Sequence, residues 1–210
     1  GVASLSPAVC AAADGAGHMQ ILGPRGRGKT TLLLGLAARF REQGKRAVYE
    51  YVPQGRSRFT TPLDGPDIFL LDEAQRLVPR QARRLLRRAA QTRPGSLRLV
   101  LGAHADMSPR FARRNLPLAT VRLAEVSPAF LARLLRRRLA FFALDSAPAA
   151  FSGDAVDYLR AAFGGNLRAM TFFLYEVFQD MAGSGVCPAV ITAGQLRQFA
   201  GPFKPGPGPE

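Results

Sequence analysis

Between a short apolar run, His18 to Leu22, and a stretch of helical periodicity, the chain inserts Gly-Pro-Arg-Gly-Arg-Gly-Lys-Thr at residues 23–30. This octet matches GxxxxGK[ST] at every fixed position, and each of those positions answers a demand of a bound polyphosphate. Gly23, Gly26 and Gly28 let the backbone curl with its N–H groups pointing inward, where a Cβ would obstruct close approach. Lys29 supplies a point charge to the outer phosphates, and Thr30 a hydroxyl for a divalent cation. Pro24, Arg25, Gly26 and Arg27 fill the four variable positions, and Thr31 follows on the helix, whose positive end faces the same site. Leu32, Leu33, Leu36, Ala37 and Phe40 recur at helical spacing up to Gly44, so strand, turn and helix stand in the required order.

The rest of the first half alternates strands with helices. Arg46–Val52 reads as a second strand, and residues 53–66 as a loop where many nucleotide-binding folds carry a helix. Asp67-Ile-Phe-Leu-Leu-Asp-Glu ends four consecutive apolar residues in two carboxylates, the pattern of a strand buried on both faces of a parallel sheet. Ligands bind at the carboxyl ends of such strands, which brings Asp72 and Glu73 to the phosphate loop. Asp72 suits Mg²⁺, directly or through water, and Glu73 suits the orientation of an attacking water. The alternative is that both acids merely open the next helix. Leu97–Leu101 is a further strand, and His104 lies just past its carboxyl end. His104 is either a polar contact to the outer phosphate and water or a structural histidine; it has no companions at metal-ligand spacing. A helix at about 107–114 and a strand at 119–123 complete five alternating strands.

From Ser127 the pattern becomes helical throughout. Ser127-Pro128 opens a helix bearing Leu131, Leu134, Leu135, Leu139 and Phe142, a second helix falls at 152–163, and a third begins at Asn166 with Met170, Phe173, Leu174, Val177, Phe178 and Met181 on one face. A weaker fourth covers 190–200. The expected organisation is an N-terminal extension (1–17), a core (18–124), a helical lid (125–200) and a disordered Pro/Gly tail (201–210).

Charge is placed unevenly. Of the net +14, residues 1–124 carry +13, and residues 74–105 hold eight Arg and no acid. Arg80, Arg83, Arg84, Arg87 and Arg88 form one helical face opposite Ala82, Leu85, Leu86 and Ala89. The ridge reads equally as a contact to nucleic-acid phosphates or as a solvated face in an Arg-rich chain. The usage of 26 Arg against 3 Lys explains the choice of base but not the shortage of carboxylates. Cys10 and Cys187 imply no disulfide framework, and a reducing cytoplasm is the simplest reading. No run approaches a membrane span, residues 1–17 lack the form of a leader, and the missing initiator Met suggests a fragment.

Taken together, the loop at 23–30, the Asp72-Glu73 strand, a polar residue after the fourth strand and a helical lid resemble the AAA+ ATPases. Gly164-Gly165-Asn166-Leu167-Arg168 is similar to that family's second sensor, which implies that Arg168 reaches bound nucleotide from the lid. The other reading is that Asn166 caps a helix and Arg168 is solvated. Asp72-Glu73-Ala74-Gln75-Arg76-Leu77, and the run from Leu99 through Phe111 to Ser127-Pro128, are similar to the bacterial branch of ExeA-like secretion ATPases and Mu B/TniB-like transposition ATPases. The family pattern implies a parallel five-stranded P-loop NTPase sheet flanked by helices, with ATP and Mg²⁺ as cofactors. It also implies homo-oligomeric assembly in which Arg113 or Arg114 completes a neighbour's site. The helix-free 53–66 connection and His104 depart from it. No Asn-Lys-x-Asp segment reads guanine, which favours ATP over GTP. Two functions follow: an ATPase coupling turnover to assembly and to duplex DNA or a protein partner, or a nucleotide-gated adaptor with negligible turnover. A small-molecule kinase is more remote, since it would need neither the Asp-Glu pair nor the helical lobe.

Overall fold

A computed structural model describes residues 7–91, 96–142 and 149–198. The chain divides into two compact units, Gly1–Leu123 and Ala124–Glu210, each with a core of its own. The tail expected at 201–210 and the end of the weak fourth helix lie outside the described residues.

In the first unit the elements are α1 (Pro7–Asp14), β1 (His18–Leu22), α2 (Lys29–Glu42), β2 (Ala47–Tyr51), β3 (Ile68–Asp72), α3 (Pro79–Ala89), β4 (Arg98–Ala103), α4 (Ser108–Ala112) and β5 (Leu118–Arg122). The five strands form one parallel sheet in the order β2-β3-β4-β1-β5, as the alternating pattern requires. All five residues of β3 are buried because successive side chains enter different cores. Ile68 and Leu70 meet Leu33, Leu36, Ala37 and Phe40 of α2, whereas Phe69 and Leu71 meet Ala82, Leu85, Leu86 and Ala89 of α3. The apolar stripe of α3 is thus fully used, and its arginines are left outside.

Two features lay beyond the sequence reading. Residues 7–14 form α1, and its Val9 and Ala13 are buried in the α2-side core. Arg98 binds this segment through the carbonyls of Ala12, Ala13 and Gly17. The 53–66 connection anchors itself without a helix, by burying Phe59 and Leu63 against the α3-side core.

The second unit comprises α5 (Pro128–Phe142), α6 (Gly153–Phe163), α7 (Leu167–Gly183) and α8 (Ala193–Gln198). It is not purely helical. Two short strands, β6 (Ala150–Phe151) and β7 (Val190–Ile191), pair in parallel, with Ser152 bonded to the Ile191 carbonyl. Two-residue strands carry no period for a sequence to display. The core joins Leu131 and Leu135 of α5, Leu159 of α6, and Met170, Phe173, Val177 and Met181 of α7.

One buried polar residue fixes the end of the sheet where the chain leaves β4. Gln20 of β1 has no solvent exposure. Its Nε2, with two N–H donors, lies within hydrogen-bond distance of Asp106 Oδ1 (2.6 Å), Thr120 Oγ1 (2.8 Å) and Ser108 Oγ (2.9 Å), and its Oε1 accepts from Met107 N–H (3.0 Å). It therefore ties the 104–107 turn and α4 to β1 and β5. The Ser108 N–H, the Gln20 amide and the Ser108 hydroxyl hold the Asp106 carboxyl down to about 2. Such a group contributes stability above its unfolded pKa, and loses it as pH falls through the folded value. Gln20→Leu leaves Met107 N–H unpaired and is expected to cost about 1–3 kcal/mol in urea unfolding. It is also expected to reduce the acid sensitivity of stability between about pH 4 and 2.

Candidate nucleotide-binding and active site

The register aligns three chain exits. Asp72 pairs with Gly102, and Leu22 pairs with Ala103, so Gly23, Glu73 and His104 emerge together at the carboxyl edge of β1, β3 and β4. In the loop, Gly26 (φ 73°) and Gly28 (φ 88°) adopt the left-handed conformation that glycine reaches at no steric cost. No atom would meet a Cβ at Gly28, so conformation rather than space demands glycine there.

Lys29 opens α2 and is 5% exposed. Its Nζ donates to the carbonyls of Gly23 (2.7 Å) and Pro24 (2.9 Å) and lies 3.5 Å from both ring nitrogens of His104. Among the described residues no carboxylate is in ion-pair range of it. Burial pushes the Lys29 ammonium below the ordinary lysine value, with Glu73 and Asp72 opposing and Arg25 adding to the fall. A buried cation held only by neutral carbonyls fits an anionic ligand, and the curled loop beside it fits a phosphate chain.

Asp72 is fully buried. Its Oδ2 accepts from the Thr30 hydroxyl (2.6 Å) and from Tyr49 Oη (3.3 Å), and its Oδ1 from Glu73 N–H (3.0 Å). One hydroxyl and one carboxylate side by side could supply the protein share of an Mg²⁺ site whose remaining oxygens would come from phosphate and water. Gly102 makes the arrangement fit: a Cβ there would lie 2.7 Å from Asp72 Oδ1 and 2.7 Å from Leu33 Cδ1.

Glu73 sits in the left-handed region (φ 58°), which costs a residue with a Cβ about 1–2 kcal/mol. Its carboxylate receives three contacts. Oε1 lies 3.0 Å from His104 Nε2, while Oε2 accepts from Gln75 Nε2 (2.7 Å) and pairs with Arg76 (3.1 Å). Burial raises the Glu73 carboxyl, but the Gln75 hydrogen bond and the charges of His104 and Arg76 outweigh it, leaving it below the usual glutamate value. A carboxylate offers roughly four lone-pair directions. Three are engaged, which leaves about one for water.

Gly23 through Thr30, Asp72, Glu73 and His104 lie at one end of the sheet, as their order in the sequence predicts, and Thr31 is exposed on α2. The sequence reading missed Gln75, Arg76, Tyr49 and Gly102. Gly102 alone left a signal, as a glycine inside an apolar strand marks a close approach. Gln75 also accepts from His104 N–H (3.3 Å), so it braces both members of the Glu73–His104 contact. Arg76 is fixed by the Val52 carbonyl (2.6 Å) and lies over the Tyr51 ring.

Other expected residues belong to other elements. Arg113 and Arg114 follow α4, Arg113 is exposed, and among the described residues neither bonds to Lys29, Asp72 or Glu73. Arg168 belongs to the second unit, exposed in the first turn of α7. Asn166 does cap that helix, accepting from Ala169 N–H (3.1 Å) after the left-handed Gly164. Among the described residues no group of three or more His, Cys, Asp or Glu could hold a metal alone, and no helix is long and apolar enough to cross a membrane.

No protein-family model and no curated protein sequence matches the chain. Solved structures do. The Thermotoga maritima RuvB Holliday junction branch migration motor superposes with TM-score 0.64 at 16% identity, covering 88% of this chain and 61% of that one. Cdc6p from Pyrobaculum aerophilum gives 0.64 at 18%, covering 88% and 61%. NtrX from Brucella abortus, in complex with ATP, gives 0.63 at 18%, covering 93% and 52%. The chain shares the P-loop NTPase fold of these structures, a five-stranded parallel sheet flanked by helices. This chain spans less than two thirds of each of these neighbours, and the likeness concerns architecture only.

Within this fold, Gly102→Ala is expected to displace Asp72 or Leu33. Stability should fall by about 1–3 kcal/mol. The thermal stabilisation given by Mg²⁺-ATP over ATP with chelator should shrink at least several-fold, measured by differential scanning fluorimetry.

Proposed function

We propose that the chain is an Mg²⁺-dependent ATPase that couples nucleotide binding and turnover to self-assembly and to handling of duplex DNA. The observation that carries this reading is the shared edge where buried Lys29, the Thr30–Asp72 pair and Glu73 converge. The loop amides and Lys29 would bind the phosphates, and Thr30 and Asp72 would hold the cation. When bound, Mg²⁺ neutralises charge on the transferring phosphoryl group.

Glu73 holds and polarises water through its remaining lone pair, and accepts its proton as the oxygen attacks phosphorus. His104, Gln75 and Arg76 fix its orientation. They also withdraw basicity from it, which makes slow basal turnover the natural consequence of this geometry. Since an ionised carboxylate only accepts, the contact to Glu73 requires His104 to carry its proton on Nε2.

Arg168 is assigned to sense nucleotide from the second unit, an assignment that rests on the Gly-Gly-Asn-Leu-Arg resemblance. Arg113 or Arg114 is assigned to a neighbouring subunit's site, where a guanidinium would offset developing negative charge. The Mu B/TniB-like and ExeA-like resemblance of residues 72–77 supports a motor that acts on DNA or on a protein partner. The excess of 13 positive charges in residues 1–124 favours DNA. One observation favours a second reading, a nucleotide-gated switch with negligible turnover: the three donors already engaged on Glu73.

Glu73→Gln is expected to bind ATP as tightly as the native chain while turnover falls on the order of 10²-fold or more. Equilibrium binding of a fluorescent ATP analogue, paired with steady-state phosphate release, measures both. Unaltered release would remove Glu73 from the chemistry, and no release from the native chain, with or without DNA, would leave the switch. Arg113→Ala with Arg114→Ala should abolish concentration-dependent stimulation of phosphate release without changing nucleotide affinity, and unchanged stimulation would remove both from a trans role.

A further inference from the structure

The arginine face of α3 does not simply meet solvent. It walls two adjoining clefts of about 700 and 710 Å³, both bordered by Arg80 and Gln81. The first runs along α3, between Arg80, Arg83, Arg84, Arg87 and Arg88 and the end of the 53–66 connection at Leu63 and Asp64. The second is closed on its far side by the start of that connection, where Arg56 and Arg58 alternate with Ser57 and Thr60. Asp64 is the one carboxylate among the lining residues. It pairs with Arg88 at 3.3 Å but is 95% exposed, so it offsets little of the charge. Arg56, Arg58, Arg80 and Arg87 have no ion-pair partner among the described residues.

The far wall is built rather than loose. Glu50 of β2 accepts from Thr60 N–H (2.6 Å), Thr60 Oγ1 (2.9 Å) and Thr61 N–H (2.9 Å), and Val78 N–H donates to the Ser57 carbonyl (3.0 Å). Phe59 and Leu63 nail the segment to the core beneath. A helix-free connection is thereby anchored across from α3, and arginines border the groove on both sides. Arg80 to Arg87 spans two helical turns, roughly 10 Å, enough for successive phosphates rather than one.

We propose that this arginine-walled groove between α3 and the 53–66 connection binds the phosphodiester backbone of duplex DNA without reading its sequence. The site is separate from the phosphate loop, and the proposal rests on DNA being the partner. Charge complementarity selects a polyanion. The absence of a stacking platform among the lining residues selects duplex over single strand: the nearby ring, Phe59, is 4% exposed and lies beneath Arg84. Guanidinium, hydroxyl and amide groups are the donors that phosphate oxygens accept from.

The test is fluorescence anisotropy of the full chain with a labelled 30-base-pair duplex of arbitrary sequence, titrated across NaCl concentrations with Mg²⁺-ATP present. Two double variants come from opposite walls: Arg80→Ala with Arg87→Ala, and Arg56→Ala with Arg58→Ala. Each should flatten the slope of log affinity against log salt by about 2, or about 1 per contact, and weaken binding on the order of tenfold for every sequence. ATP affinity and DNA-free turnover should not change, which also reports that the variants fold. Arg136→Ala with Arg137→Ala, in the second unit, should leave the slope unaltered. Native slope in both wall variants would overturn the groove while leaving DNA as partner. No salt-dependent duplex binding by the native chain would overturn the groove and the DNA reading together, leaving the ATPase reading to its own assay. Tighter binding of a single strand of equal length would overturn the duplex assignment.

Discussion

Two groups of opposite charge, the Lys29 ammonium and the Asp72 carboxylate, are withdrawn from water at one end of an apolar sheet, and the local structure is arranged around keeping them there. Burying either alone would cost several kcal/mol. Neither is neutralised by direct contact with the other. Lys29 is satisfied by two loop carbonyls, and Asp72 by a hydroxyl, a phenol and a backbone N–H. Neutral dipoles hold each charge without cancelling it, so each retains its capacity to meet an ion. A polyphosphate with a divalent cation is complementary to that pair: negative oxygens toward Lys29, positive metal toward Asp72. Parallel register brings the groups to one edge, and Gly102 leaves the volume that Asp72 occupies.

The parts of this arrangement that follow a period or a template were legible in the sequence. The octet specifies its own conformation, four apolar residues ahead of two acids specify a doubly covered strand, and the spacing of Leu33, Leu36 and Phe40 specifies the face that α2 buries. What escaped depends on contacts between distant residues. Gln75 and Arg76 stand beside Glu73 only because Glu73 turns into the left-handed region, a choice no propensity announces for glutamate. Tyr49 reaches Asp72 through strand pairing, and α1 is held by Arg98, more than eighty residues away. The β6–β7 pair is too short to carry alternation. Arg168, Arg113 and Arg114 are a different case, because their expected partners belong to another unit or another chain.

The strain at Glu73 and the donors around it are best understood together. The left-handed backbone swings the carboxylate across the strand ends toward His104, and the bond from its own N–H to Asp72 couples that backbone to the buried carboxylate. His104 in turn touches Lys29 on one side and Glu73 on the other. Any ligand that draws on the Lys29 charge thus acts on His104, and through it on the orientation and basicity of Glu73. Two contacts, of 3.5 and 3.0 Å, join Lys29 through His104 to the Glu73 carboxylate.

The same economy governs the basic surface. A helix in place of residues 53–66 would pack its own apolar stripe on the sheet and present a convex back. Phe59 and Leu63 do the covering with two side chains, and the rest of the segment is freed to stand across from α3. The apolar side of α3 is consumed by Phe69 and Leu71 of β3, the strand that also delivers Asp72, so its orientation is set by the core that positions the candidate site. The arginines must then face the gap. Their mutual repulsion is tolerable on a solvated helix and falls when counterions or phosphates enter, so a groove built this way gains most from the ligand that carries charge at regular intervals.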